Sequence, residues 1–413
     1  MHPESLMMSY GYKPELSEGA IKCPIFQTST FAFRTAEAGK AFFEVLRGQR
    51  EQQPSEELGL IYSRFNNPDL EILENRLSLW EQAGDCAVFE SGMSAISTVL
   101  LEFLEPGDLL LHSGPLYGGT DHFIKHFLKK IGIHSLEFHA GDTRQRIIDA
   151  INASGHAARL AMIFVETPAN PTNSLIDISM CREIADAFAT GERRAHVAVD
   201  NTYMGPVWQH PLKLGADTSI YSATKYIGGH SDVIAGAVCG DRATVVRVKS
   251  LRNFLGNMAG PWTGWLLLRS LETLKLRMEK QAANAAVVAD FLAAHAKVER
   301  VYYLGHIDRE REPRQYEIYR KQYSSPGAML SFDVRGGEAE AFRFLNHLKL
   351  IQLAVSLGGT ESLAEHPATM THGGPDAETL ARTGITEKMI RVSVGVEHAD
   401  DLVADISQAL EQV

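Results

Sequence analysis

Neither GxGxxG nor GxxxxGK[ST] occurs in this chain of 413 residues, so the two commonest nucleotide-binding loops are missing, and HExxH is missing too. The four cysteines, Cys23, Cys86, Cys181 and Cys239, are scattered with no CxxC pair. That spacing argues against a disulfide scaffold, and it reads as buried free thiols in a reducing, cytoplasmic setting. His122 and His126 stand at i, i+4 spacing with no third ligand nearby in sequence, so they read as surface histidines and no metal is expected. No segment approaches the roughly 18 unbroken apolar residues that span a bilayer. The opening MHPESLMMSYGYKPELSEG has no basic stretch followed by an apolar one, so neither a secretory signal nor a membrane partner is expected. Basic charge is also short: the formal net charge is −11, which argues against a nucleic-acid partner. It still permits a small anion held by backbone amides and arginines.

What the chain does have is alternation. Residues 1–65 offer polar turns and no long helical period, and the charged, breaker-rich segment 47–59 reads as a loop. From about residue 66 to 265, short apolar runs alternate with helical patterns. Strands are predicted at Cys86–Phe89, Leu109–His112, Ala161–Val165, Val197–Val199, Ser219–Tyr221 and Ile234–Val238. Segments such as Asp69–Gln82 and Ser94–Leu104, between the strands, carry apolar residues at helical spacing. This is the pattern of an α/β fold, a mainly parallel sheet with helices on both faces. Near Trp265 it gives way to one long amphipathic run, predicted as a helix broken once. Strands at Ala328–Val334, Ile351–Val355 and Met389–Val394 and a closing helix Ala399–Val413 then predict a smaller C-terminal α+β domain. The expected division is an arm over 1–65, a cofactor-binding domain over 66–265 and a C-terminal domain over 266–413.

Ligands of open α/β sheets gather at the carboxyl ends of the strands. The residues following the predicted strands include Ser91-Gly92-Met93, Tyr117-Gly118-Gly119, Glu166 with Asn170, Asp200-Asn201, and Ser222-Ala223-Thr224-Lys225. Together they suit pyridoxal 5′-phosphate (PLP). That cofactor needs an amine for its aldehyde, an anion for its ring nitrogen, donors for its phosphate and a surface for its ring. Lys225 can supply the amine, with a pKa lowered by burial or positive surroundings. Asp200 can hold the ring nitrogen protonated. The Gly92 and Met93 amides at a helix N-terminus can cradle the phosphate, and the Ser222 and Thr224 hydroxyls can add donors.

The motifs YSRFNNP (62–68), SGM (91–93), LYGGT (116–120), ETPANPT (166–172), VDNTY (199–203) and SATKYIGGH (222–230) resemble the transsulfuration family of cysteine and methionine metabolism. SLGGTESLAEHPATMTH (356–372) and IRVSVGVE (390–397) extend the likeness to the C-terminus. The family contains cystathionine γ-synthases and lyases, methionine γ-lyases and O-acylhomoserine sulfhydrylases. The resemblance implies a PLP-dependent transferase fold of type I, with Lys225 joined to the cofactor and Asp200 on its ring nitrogen. It further implies that Tyr117 stacks on the ring and acts as acid or base, and that Gly92, Met93, Ser222 and Thr224 take the phosphate. Arg391 would clamp the substrate α-carboxylate with Ser356 nearby. Tyr62 and Arg64 would reach the phosphate of a neighbouring subunit, which implies a homodimer or homotetramer.

The implied reaction is α,γ-elimination on a sulfur amino acid: Lys225 moves the Cα proton and Tyr117 protonates the departing sulfur. The reading adopted is methionine γ-lyase-like, taking methionine to 2-oxobutanoate, methanethiol and ammonia. The alternatives are γ-replacement, cystathionine γ-lysis and, more distantly, a non-catalytic binding protein on this fold. Three departures from the family pattern stand out. Methionine γ-lyases usually carry Cys where Gly119 stands, the family usually carries Asp at Gly264, and the polar insert precedes Tyr62. Glu361 resembles the cystathionine-acting members only loosely.

Overall fold

The computed structural model describes residues 1–53, 56, 59–191, 193–372 and 383–413. Seven strands form the larger sheet: β1 (Asp85–Phe89), β2 (Leu109–Gly114), β3 (His134–His139), β4 (Leu160–Glu166), β5 (His196–Asp200), β6 (Thr218–Ser222) and β7 (Gly236–Gly240). Their order is β1-β7-β6-β5-β4-β2-β3. Only β7 runs against its neighbours; the β6-β5-β4-β2-β3 block is parallel throughout. Because β1 and β6 both oppose β7, β1 points the same way as the parallel block. The carboxyl ends of β1, β2, β4, β5 and β6 therefore share one rim.

Side-chain parity divides the core into layers. In β4, Met162 and Phe164 face the Gly92–Phe103 helix, while Ile163 and Val165 face the Ile178–Ala187 helix. In β5, Ala198 joins the first layer, and Val197 and Val199 join the second. A strand buried on both faces needs apolar residues at every position, and that is why these runs were readable in sequence. The smaller sheet follows the order β10-β11-β12-β9-β8. It contains β8 (Val298–Tyr302), β9 (Met329–Val334), β10 (Gln352–Leu353), β11 (Leu363–Glu365) and β12 (Met389–Ser393). The chain is thus α/β with a mostly parallel sheet and a smaller C-terminal sheet domain.

The long amphipathic run is two helices, Pro261–Leu271 and Leu274–Ala294, broken at Glu272 and Thr273. Of the elements not singled out in the sequence, four bear on the outline of the fold. β3 and β8 each end a sheet, and their sequences HSLEFH and VERVY are half exposed, so no apolar run marks them. β11 is three residues long. The fourth is a helix, Ala36–Leu46, in the segment read as free of helical period; Thr35 caps it by accepting from the Ala38 amide at 3.1 Å, and it buries Gly39 and Phe42. The strand expected over Ile351–Val355 contracts to Gln352–Leu353. In the polar segment 47–59, Arg50 pairs with Glu56 at 2.6 Å; residues 54, 55, 57 and 58 lie outside the described set.

Gly264, the departure from the family's Asp, has a structural reason. A Cβ there would lie 2.9 Å from Leu70 Cδ2 and 3.4 Å from Asp69 Cβ. The bare backbone lets the Pro261–Leu271 helix press against the Pro68–Glu81 helix, beside a carboxyl that is itself buried.

One buried clamp holds the end of β1. Glu74 accepts from Arg252 at 2.6 Å, Lys249 at 3.0 Å and the Val88 amide at 2.9 Å, and Arg252 also donates to Val88 O at 2.8 Å. It ties the Pro68–Glu81 and Arg242–Leu255 helices to the strand that feeds Ser91-Gly92. Removing one partner strands the other's charge. Arg252→Met is expected to lower stability by about 3 kcal/mol in urea unfolding, and Glu74→Gln added to it should recover part of the loss. An unchanged urea midpoint would show that the clamp carries no load.

Candidate active site

A cavity of about 270 Å³ opens at the shared rim, lined among others by Gly92, Met93, Tyr117, Asp200, Ser222, Thr224 and Lys225. All seven were picked from sequence because each follows a buried strand, and register brings them together. Glu166 and Asp200 are in-register neighbours at the ends of β4 and β5, so their side chains share a face. That face is the one covered by the Gly92–Phe103 helix.

The two buried carboxylates sit under different local fields. Burial pushes both upward, and Asp200's negative charge pushes Glu166 further. Asp200 is opposed by the Thr202 hydroxyl and amide, the latter at 3.0 Å, and by the positive charge of Lys225. Glu166 accepts only backbone amides, from Tyr117 at 2.6 Å and Asn170 at 3.4 Å. Like charges so close cannot both ionise cheaply, so a proton shared by the pair falls more readily on Glu166 than on Asp200. A charged Asp200 is what a protonated ring nitrogen requires.

Lys225 faces the opposite influence. Burial first, and Arg391 second, lower its pKa to about 8, against the pull of Glu365 and Asp200. Its Nζ donates to Ser356 Oγ at 2.9 Å. Ser356 holds a φ of +90°, a strained backbone for a residue with a side chain, and its carbonyl accepts from Arg391 Nη2 at 2.7 Å. Arg391 is buried, pairs with Glu365 at 2.8 Å and reaches Asn170 Oδ1 at 3.1 Å. Asn170 also accepts from the Tyr203 hydroxyl at 2.8 Å.

The anion cradle is built at the start of the Gly92–Phe103 helix. Ser91 caps it by accepting from the Ser94 amide, leaving the first-turn amides of Gly92 and Met93 without an intrahelical acceptor. A Cβ on Gly92 would fall 2.8 Å from Ser222 Cβ, so only glycine lets this turn approach β6. The Thr224 hydroxyl is engaged with Ala235, its oxygen 3.2 Å from the carbonyl. It reaches a phosphate only by turning from that carbonyl. The Tyr117 ring is half exposed and lies over Gly119, where a Cβ would come within 2.7 Å of it.

Tyr62 and Arg64 do not line this cavity. Tyr62 is exposed and bridges to Thr30, and Arg64 donates to Asn253 O at 2.5 Å. His122 and His126 pack ring on ring at 4.1 Å. Sequence reasoning passed over Glu365, Thr202 and Tyr203, and it noted Glu166 and Asn170 without giving them a role. Strand ends signalled Glu166 and Thr202, whereas Glu365 meets Arg391 only through the β11–β12 register.

The model of the Cys/Met metabolism PLP-dependent enzyme family matches residues 4–411. The chain is 40% identical to L-methionine γ-lyase of Pseudomonas putida over 97% of this chain and 95% of that protein. It is 36% identical to cystathionine γ-lyase of Bacillus subtilis over the full length of both. The crystal structure of cystathionine γ-synthase from Xanthomonas oryzae pv. oryzae, in complex with aminoacrylate and cysteine, superposes with a TM-score of 0.87 at 31% identity, covering 100% of this chain and 98% of that one.

The donor set fits pyridoxal phosphate. A neutralisable amine, a buried carboxylate and helix-terminal amides without an intrahelical acceptor, beside a glycine that tolerates no side chain, surround one cavity of suitable size. Cofactor uptake by the stripped protein should therefore follow the unprotonated fraction of Lys225, rising with pH through a midpoint near 8. The uptake rate, followed by absorbance, checks this; a midpoint near that of a solvated lysine, about 10.4, would contradict the burial argument.

Proposed function

Because the chain belongs to the Cys/Met metabolism PLP-dependent enzyme family, we propose that it performs α,γ-elimination on a sulfur amino acid, converting methionine to 2-oxobutanoate, methanethiol and ammonia. The observation that carries this reading is Lys225: an amine brought to a pKa of about 8, in one cavity with a buried carboxylate on the adjacent strand. An amine so placed can both take and return a proton near neutral pH.

The bound cofactor supplies an aldehyde for the substrate amine and a protonated ring that draws electron density from Cα. The chain's residues do the rest. Lys225 Nζ takes the Cα proton and then a Cβ proton, without which the Cγ–S bond cannot break, and Ser356 Oγ, 2.9 Å from Nζ, holds the amine in position; water supplies the oxygen of 2-oxobutanoate as ammonia leaves. Asp200 would keep the ring nitrogen protonated, and Gly92, Met93, Ser222 and Thr224 would hold the phosphate. Tyr117 would cover the ring and protonate the leaving sulfur; the hydrogen bond that its backbone N–H donates to Glu166 fixes where the side chain starts. Arg391 and Asn170 orient the α-carboxylate. Tyr62 and Arg64, which stand outside their own chain's cavity, complete a partner's phosphate site, so the working unit is a homodimer or a homotetramer built from it. Four free, buried thiols suit a cytoplasmic setting.

Support for methionine as substrate comes from the 40% identity to a methionine γ-lyase. Two features favour a second reading, γ-replacement with a thiol: Gly119 places no side chain of its own against the Tyr117 ring, and the superposed solved structure is a synthase.

Purified enzyme given methionine, cystathionine, homocysteine and O-acylhomoserines, with and without thiol, separates these readings through 2-oxobutanoate. Methionine is expected to yield oxo acid without added thiol. Efficient thiol-dependent cystathionine formation with none from methionine would replace lysis by replacement. Lys225→Ala should lower kcat by about 10⁴-fold or more, and Tyr117→Phe by about 10²-fold; a fully active Lys225→Ala enzyme would remove the mechanism.

A further inference from the structure

Arg391 and Glu365 are cross-strand partners of β12 and β11, both buried. A guanidinium has five N–H donors. Three are committed here: Nη1 to Glu365 Oε1 at 2.8 Å and to Asn170 Oδ1 at 3.1 Å, and Nη2 to the Ser356 carbonyl at 2.7 Å. Among the described residues Nε has no partner although it is buried. Nε is therefore a donor without an acceptor, and Nη2 carries a second N–H besides the one given to Ser356, so the guanidinium has capacity left for another carboxylate while it holds Glu365.

Glu365 is equally lopsided. Oε1 takes both Arg391 and the Thr371 hydroxyl, the latter at 2.8 Å, while buried Oε2 has no partner among the described residues. The groups facing it are Arg391 and Lys225, both cationic, His366 beside it, the Tyr203 hydroxyl, and His372 beyond Arg391. His372 is neutral, its pKa lowered to about 4 by burial and by Arg391.

We propose that Glu365 sets the affinity of the site for amino acids: the substrate carboxylate binds Arg391 as the second anion on one guanidinium, and Glu365 relieves the repulsion by taking a proton from solvent on Oε2. The proposal rests on the reading of Arg391 as the carboxylate clamp. Burial already holds the Glu365 carboxyl above its ordinary pKa despite the arginine, so a second negative charge close by has little further to push it. Binding is then tighter at lower pH, since each carboxylate bound brings part of a proton with it. Glu365 acts through Arg391 and is a positioning residue.

The test uses the holoenzyme and 3-(methylthio)propionate, a methionine skeleton without the amine, so that binding reports the carboxylate site alone. Titration calorimetry in two buffers of different ionisation enthalpy, between about pH 6 and 9, reads affinity and proton uptake together. The wild-type enzyme is expected to take up protons on binding. Glu365→Gln, which keeps the shape and loses the charge, should bind about tenfold tighter at the alkaline end, with no uptake. Its cofactor absorbance should be retained, and after stripping, the midpoint of cofactor uptake set by Lys225 should fall, because Glu365 is one of the groups holding that pKa up. No proton uptake by wild type, or equal or weaker binding by a cofactor-retaining Glu365→Gln, overturns the proposal and leaves the clamp standing. Undiminished binding by Arg391→Ala would instead overturn the clamp, and the proposal with it.

Discussion

Charge confined to one dry cleft governs the rest of this structure. Lys225, Asp200 and Glu166 line the cavity at the rim, and Arg391 and Glu365 of the second sheet stand close enough to act on Lys225; isolated ions in such a poorly screened place cost several kcal/mol each. Three acids and two bases would not balance. With Glu166 protonated, two carboxylates face two cations and the cleft is neutral before any ligand enters. The same neutrality sets the chemistry: burial and Arg391 loosen the proton on Lys225, while Thr202 and Lys225 oppose the upward push that burial gives Asp200.

The fold makes that arrangement affordable through strand parity. Apolar alternation in β4 and β5 places Glu166 and Asp200 on the face covered by the Gly92–Phe103 helix. The unpaired amides of that helix's first turn offer a compensating positive field to an anion. Behind it, the Glu74–Arg252 pair pins β1, so the glycine turn meets Ser222 with no room for a side chain. The second sheet contributes Arg391 and Glu365 as a cross-strand pair, and the strained Ser356 links them to Lys225. A site built from two sheets is held by few covalent neighbours, and its geometry depends on packing between them.

Much of this was legible in the sequence. Buried parallel strands need continuous apolar runs, so their ends, and therefore Tyr117, Asp200 and Ser222 to Lys225, could be located by counting. Edge strands β3 and β8 were not, because an exposed face needs no apolar residues. The Ala36–Leu46 helix was hidden by the glycine and polar turns around it. Glu365 was invisible for a different reason: its importance comes from lying opposite residue 391, 26 positions away, and spacing along the chain carries no trace of antiparallel register. Among the described residues no helix is long and apolar enough to cross a membrane.

The most direct test is covalent. Borohydride reduction of the holoenzyme, followed by proteolysis and mass spectrometry, should leave the cofactor's mass on the peptide containing Lys225 and nowhere else. Stoichiometric labelling of another lysine, with Lys225 unmodified, would contradict the account at its centre.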